Sequence, residues 1–155
     1  MLSAAAAWLA RRDLATYGDL VHGHPPALHH QRWAAAISDL VEGRSATRKL
    51  LLVAPPGHAK STWVSLILPP WYLGRHPDHT LLFFTSNDTM ARQFGGTVKT
   101  TFEGNEIHAE VFGGTTRPDA GRGWSTDGLY LSGVPAGSKD PSYRALGYGA
   151  SVIGA

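Results

Sequence analysis

The sequence predicts an α/β fold in which helices flank a parallel sheet. Three observations carry this. Two apolar runs, Lys49–Val53 and Leu81–Ser86, show little alternation of polar and apolar residues, as strands buried on both faces do. Segments with helical spacing follow each run. The stretch "APPGHAKST", Ala54–Thr62, joins the first run to an apolar helix in the manner of a phosphate-binding loop. Strand, loop, helix, strand, helix is the order expected of a sheet with crossover helices.

The elements read in order as follows. Ser3 is placed to cap a first helix running to about Leu14. His22–Pro26 breaks the chain. In "PALHHQRWAAAISDLVEG", Trp33, Ile37, Leu40 and Val41 fall on one helical face, and Gly43 stops the helix. "GRSAT" is a basic loop ahead of the Lys49–Val53 strand. The loop Ala54–Lys60 opens a short helix, Ser61–Leu68, which Pro69-Pro70 should end. "WYLGRHPDH" is a connection to the Leu81–Ser86 strand. Asn87 or Asp88 caps the next helix, where Ala91, Phe94, Val98 and Phe102 share a face. Gly95-Gly96 should weaken its middle by about 1 kcal/mol per glycine. Residues 113–149 are rich in Gly, Ser, Thr, Asp and Pro. Only "GLYLSG" and the terminal "ASVIGA" read there as short strands.

Composition bounds the function classes. A chain of 155 residues suits one sizeable core, and 43% hydrophobic with 17% charged residues describes a globular protein, not a disordered one. A net charge of +2 excludes a polybasic tail. The absence of cysteine excludes disulfides and thiolate chemistry and fits a reducing compartment. The apolar stretch Trp63–Leu68 is too short to span a membrane. Arg11 and Arg12 follow the N-terminal alanine run, the reverse of a signal peptide's order. The expectation is a cytoplasmic protein.

A phosphate-binding loop works by aiming successive backbone N–H groups at the ligand, with the positive end of the following helix behind them. A lysine then reaches the phosphates and the next hydroxyl holds Mg²⁺. Here Lys60 and Ser61 occupy those places. The usual G-x-x-x-x-G-K-[ST] pattern is altered, because Ala54 and Ala59 replace both glycines. If residue 59 needs a left-handed backbone, alanine costs about 1–2 kcal/mol there, and Gly57 is the remaining source of freedom.

"PPGHAKST" resembles the phosphate loop of the large terminase subunits of tailed phages, in which P-P-x-H-[GA]-K-[ST] is a familiar form. "ALHHQRWAAAISDLVEG" is similar to that family's upstream His-His helix. The stretch from "LPPWYLGRHPDH" to "EVFG" and the later "GWSTDGLYLSGVPAG…GYGASVIGA" also follow its order. The resemblance covers roughly 26–155. It implies a RecA-like P-loop NTPase domain with a parallel sheet and flanking helices, incomplete here. The organisation expected is a helical segment, 1–25, ahead of a partial ATPase domain, 26–155. It implies ATP and Mg²⁺ as cofactors, held by Pro56, Gly57, His58, Ala59, Lys60, Ser61 and Thr62, with Gln31 as adenine reader and Ser61 on the metal. It implies double-stranded viral DNA, a small terminase subunit and a portal protein as partners, in a homo-oligomeric ring that drives DNA packaging.

Hydrolysis also needs an acidic residue ending a second strand and a carboxylate to orient water. No apolar run followed by Asp-Asp or Asp-Glu is present. Asp88 follows "LLFFTSN" but is better placed as a helix cap. The expectation is therefore a fragment that binds nucleotide without turning it over. Arg117, Arg122 and Arg144 are open candidates for a charge-stabilising arginine. The alternatives are a fragment of another RecA-like nucleic-acid-dependent ATPase or helicase, or a protein that binds nucleotide or DNA without catalysis.

Other residues favour plainer roles. His29 and His30 are adjacent on a helix and point about 100° apart, so they do not converge on one metal. His76, Asp78 and His79 sit in a loop and read as solvated. Trp33 and Trp63 read as core. Arg44, Arg48 and Lys49 form a basic loop. No G-x-S-x-G elbow supports a Ser-His-Asp triad.

Overall fold

The structure, a computed structural model, describes residues 1–119, 121–125, 128–135 and 137–148. Two helices open the chain. α1 (Ala4–Arg12) starts at Ser3, whose Oγ accepts the Ala6 N–H at 3.1 Å. α2 (Leu14–His22) follows at once, because Asp13 ends α1 and caps α2 by accepting from the Thr16 N–H at 2.7 Å. The sequence reading has one helix here. The double use of Asp13 hides the second. Gly23, at φ +64°, ends α2, and α3 spans Leu28–Val41.

The helix after the Ala54–Thr62 turn does not stop at Pro69-Pro70. Helical structure runs without a break over 60–75. Thr62–Ile67 is wound as a π-helix, with the Leu68 N–H donating to the Trp63 carbonyl, and α4 (Leu68–Arg75) continues it. The wider turn relieves the clash that proline makes with the preceding turn of an α-helix, and the two missing N–H groups fall at the junction where the winding changes from π to α.

The remaining elements are β1 (Leu81–Thr85), α5 (Asp88–Gly104), α6 (Glu106–Phe112), a 3₁₀ turn over Gly113–Thr116, β2 (Trp124–Ser125), β3 (Gly128–Leu129) and β4 (Tyr143–Gly147). Asn87 caps α5 through the Met90 N–H at 2.9 Å. The terminal "ASVIGA" expected as a strand lies outside the described residues.

The sheet corrects the expected fold class. Its order is β1-β4-β3-β2. Only β1 and β4 run parallel, with Leu81 beside Tyr143 through Thr85 beside Gly147. β4–β3 and β3–β2 are antiparallel. A parallel pair needs a crossover, and α5 with α6 supplies one between β1 and β4. The Gly- and Pro-rich chain after α6 has no further α-helix among the described residues, only the 3₁₀ turn, and its short strands return antiparallel. This is a small mixed sheet beside a mostly helical body, not the parallel sheet of a RecA-like P-loop NTPase. The Lys49–Val53 run is not a strand either. Leu51 is 85% and Val53 80% exposed. An apolar run becomes a strand only where a neighbouring edge takes its hydrogen bonds, and among the described residues no strand pairs with this one, although Leu52 packs against the core.

The core has two parts. Ala10, Leu14, Tyr17, Ile37, Trp63, Ile67, Trp71 and Val111 join α1–α3, the 60–75 helix and α6. Leu73, Ala91, Val98, Phe102, Leu129 and Tyr143 fill the space between α5 and the sheet. Two glycines let helices close on large rings. A Cβ at Gly18 would meet Trp63 Cη2 at 2.6 Å, and one at Gly74 would meet Phe112 Cδ2 at 2.5 Å.

Candidate functional site

The Ala54–Thr62 segment forms an exposed turn. Pro56, Gly57, His58, Lys60 and Ser61 are exposed, while Ala59 and Thr62 are half-buried. Gly57 has φ +83° and Ala59 φ +52°. Ala59 is the one non-glycine residue with positive φ among those described. In a turn, a left-handed residue next to one of the opposite hand directs successive backbone N–H groups to one side, the arrangement that makes anion-binding concavities, and His58, which has no positive φ, stands between Gly57 and Ala59. The helix then begins. The Trp63 N–H donates to the Ala59 carbonyl at 3.0 Å, so the first turn's earlier N–H groups precede the intrahelical ladder. Among the described residues Lys60 has no hydrogen-bond or ion-pair partner.

α3 braces the turn. His30 Nε2 lies 3.1 Å from the His58 carbonyl oxygen, and its Nδ1 accepts the Ala27 N–H at 3.2 Å. The His30 ring is buried and stacks on Trp63 at 5.1 Å. His29 lies with its ring 5.5 Å from that of His58. Burial first, then the nearby His30 and His58, push the His29 pKa below its ordinary value. Among the described residues no group of three or more His, Asp or Glu side chains is arranged to hold a metal ion.

A groove of about 570 Å³ begins at Lys60 and Ser61. Along the helix Val64, Leu68 and Tyr72 form one wall at i, i+4 spacing. Ile37, Leu40 and Val41 of α3 form another, and Leu81 and Leu82 of β1 a third. The groove is apolar apart from Lys60, Ser61, Ser65, Thr80 and the Tyr72 hydroxyl, and its described lining contains neither a carboxylate nor an arginine. Of the residues singled out from sequence, Lys60 and Ser61 therefore meet at one end of this groove. Gln31 does not join them. Its Nε2 donates to the Pro26 carbonyl at 3.2 Å, and it lines a separate groove between α2 and α3. Arg122 is held by Asp119 at 3.4 Å and by the Pro135 carbonyl at 3.0 Å. Tyr72 and Leu82 escaped the sequence reading. The spacing from Val64 to Tyr72 was visible, but only to a reading that carried the helix through Pro69-Pro70.

No protein-family model matches this chain, and no curated protein or solved structure matches it. The resemblance to large terminase subunits is thus corrected by the fold. The order of short motifs is similar, but the sheet is small, mixed and largely antiparallel, and the run before the turn is not a strand. The readings of the turn as a Walker A element, and of the chain as part of a packaging ATPase or helicase, depend on a parallel core that the topology does not provide.

Proposed function

We propose that the Pro56–Thr62 turn binds the oxyanion of a phosphate-bearing ligand whose less polar body lies in the adjoining groove. One observation carries the reading: an unpaired, exposed Lys60 stands with Ser61 at the start of a helix and at the end of an apolar groove. Helix N-termini favour anions without a particular surrounding fold. Gly57 and Ala59, both in left-handed conformations, shape the turn toward the same ligand. His58 is braced by His30, which limits the order the turn must acquire on binding. ATP with Mg²⁺ is the first ligand to test. Lys60 would meet its phosphates. The Ser61 hydroxyl would be the protein's contact to a metal carried in by those phosphates, since the described groove offers no carboxylate.

Calorimetric titration with ATP–Mg²⁺ and with pyrophosphate tests the proposal. Loss of one charge-assisted contact is worth about 1.5–3 kcal/mol, so Lys60→Ala should weaken binding by roughly 10- to 100-fold. Equal affinity in the variant and the parent chain would overturn it.

A further inference from the structure

The helix that starts at Lys60 ends at Arg75, about 20 Å away at 1.5 Å per residue. A second group of basic residues gathers there. α1 ends on Arg11 and Arg12, α4 ends on Arg75, and Glu42 follows the end of α3. Together with Gly74 and Phe112 these residues line a cleft of about 620 Å³.

The cations outnumber their partners. Arg75 Nη2 donates to Glu42 Oε1 at 3.1 Å. Glu42 is shared, because Arg44 also pairs with it while holding Asp39 at 2.7 Å. Arg11 donates its Nε to the Val111 carbonyl, which leaves its terminal nitrogens uncommitted to that bond. Arg12 lies over the Trp8 ring at 4.5 Å, and Arg75 over Trp71 at 4.8 Å. The Arg75 side chain is only 19% exposed, and its Nη1 is buried with no hydrogen-bond partner among the described residues. Burial, then the charges of Arg12 and Arg44, press the Arg75 pKa below its ordinary value.

Three guanidiniums against one carboxylate leave the cleft lining with a net positive formal charge. Helix C-termini attract arginines, with about half a negative charge each, and this accounts for part of the gathering. It does not supply an acceptor to the buried Arg75 Nη1. With one terminal nitrogen on Glu42 and the other lacking an acceptor, the Arg75 guanidinium, held over the Trp71 ring, can take one further anionic oxygen. We propose that this cleft is a binding site for a phosphate dianion, free or as a small monoester, seated between Arg75, Arg12 and Arg11. It is independent of the turn at Lys60.

The test titrates the full chain with inorganic phosphate and with phenyl phosphate at constant ionic strength, in parallel for the Lys60→Ala, Arg12→Gln and Arg75→Gln variants. Arg12 is exposed, so Arg12→Gln stays informative if Arg75→Gln fails to fold by circular dichroism. The expected result is that Lys60→Ala keeps a phosphate site which Arg12→Gln weakens by about tenfold or more, the loss of one charge-assisted contact. Preference for phenyl phosphate assigns a monoester, and equal affinity assigns free phosphate. Unchanged binding in Arg12→Gln overturns the site. So does a short DNA duplex that binds tighter than either probe, with a steep salt dependence and a loss in the same variants, since that defines a nucleic-acid backbone surface instead.

Discussion

His30 ties the end of one helix to the turn that precedes another. Its Nδ1 accepts from Ala27 and its Nε2 donates to the His58 carbonyl, a pair of bonds that only the neutral Nε2–H tautomer makes. Replacing the ring with His30→Ala removes both bonds and the stack on Trp63. Each net hydrogen bond contributes about 1 kcal/mol, so the expected cost is roughly 2 kcal/mol or more with the lost packing. Hydrogen exchange should accelerate at Ala27 and within 54–60, leaving α5 unaffected. Uniform acceleration across the chain would show that His30 is merely a core residue.

Ala59 sits at φ +52°, where an L side chain costs about 1–2 kcal/mol and glycine does not. Glycine returns part of this gain as unfolded-state entropy, about 0.5–1 kcal/mol. Ala59→Gly should therefore stabilise the chain by roughly 0.5 kcal/mol, read as a higher urea midpoint at constant slope. A lower midpoint would mean that residue 59 is not left-handed in solution.

Gly18 and Gly74 are the opposite case. Neither has a positive φ, so their requirement is space. Gly18→Ala drives a methyl into the Trp63 ring and Gly74→Ala into Phe112. Overpacking of this kind costs about 1–3 kcal/mol. Exposed Gly104, which has no neighbour within 4 Å of a built Cβ, is the control. Gly104→Ala should leave stability near the parent's, and equal losses at all three would contradict the packing described.

Two histidines make the fold sensitive to acid. Burial holds His108 down to about 3 and His22 down to about 4, with His22 also depressing His108 and His24 depressing His22. His108 Nδ1 is 2.7 Å from the Tyr17 hydroxyl. In the unfolded chain both titrate near 6.5, so the unfolded state takes up protons first as pH falls. Their contribution is fully present above pH 6.5. It is lost on acidification between 6.5 and about 4 for His22, and down to about 3 for His108. Each group adds a slope of about 1.4 kcal/mol per pH unit in its window. Urea unfolding at a series of pH values should show this. His108→Gln, which keeps a hydrogen-bonding side chain near Tyr17, should flatten the profile by about one proton.

Local signals in the sequence were read correctly where the chemistry is local. Ser3 and Asn87 cap the helices expected of them, and Ala91, Val98 and Phe102 do form the buried face of α5. The helix runs through Gly95-Gly96 without a break, with Gly95 on the buried face beside Ala91, Val98 and Phe102. What failed was non-local. Lys49–Val53 has the composition of a central strand, but pairing is decided by whether another strand's edge stands beside it, and no residue within the run encodes that. Pro69-Pro70 read as a stop because the π-helical turn that accommodates them has no sequence mark. The site was half legible. Lys60 and Ser61 stood out by their spacing, while the groove beside them needs Tyr72 and Leu82, which only the tertiary fold brings close.

The most direct test of the central claim is a backbone amide map. The ¹H–¹⁵N resonances of the chain are followed while ATP–Mg²⁺, and separately pyrophosphate, are added. The account predicts the largest shifts at Gly57, His58, Lys60 and Ser61 with both ligands, and additional shifts along Val64, Leu68 and Tyr72 with ATP alone. Shifts that leave the Gly57–Ser61 amides unmoved would contradict it, wherever else on the chain they fall.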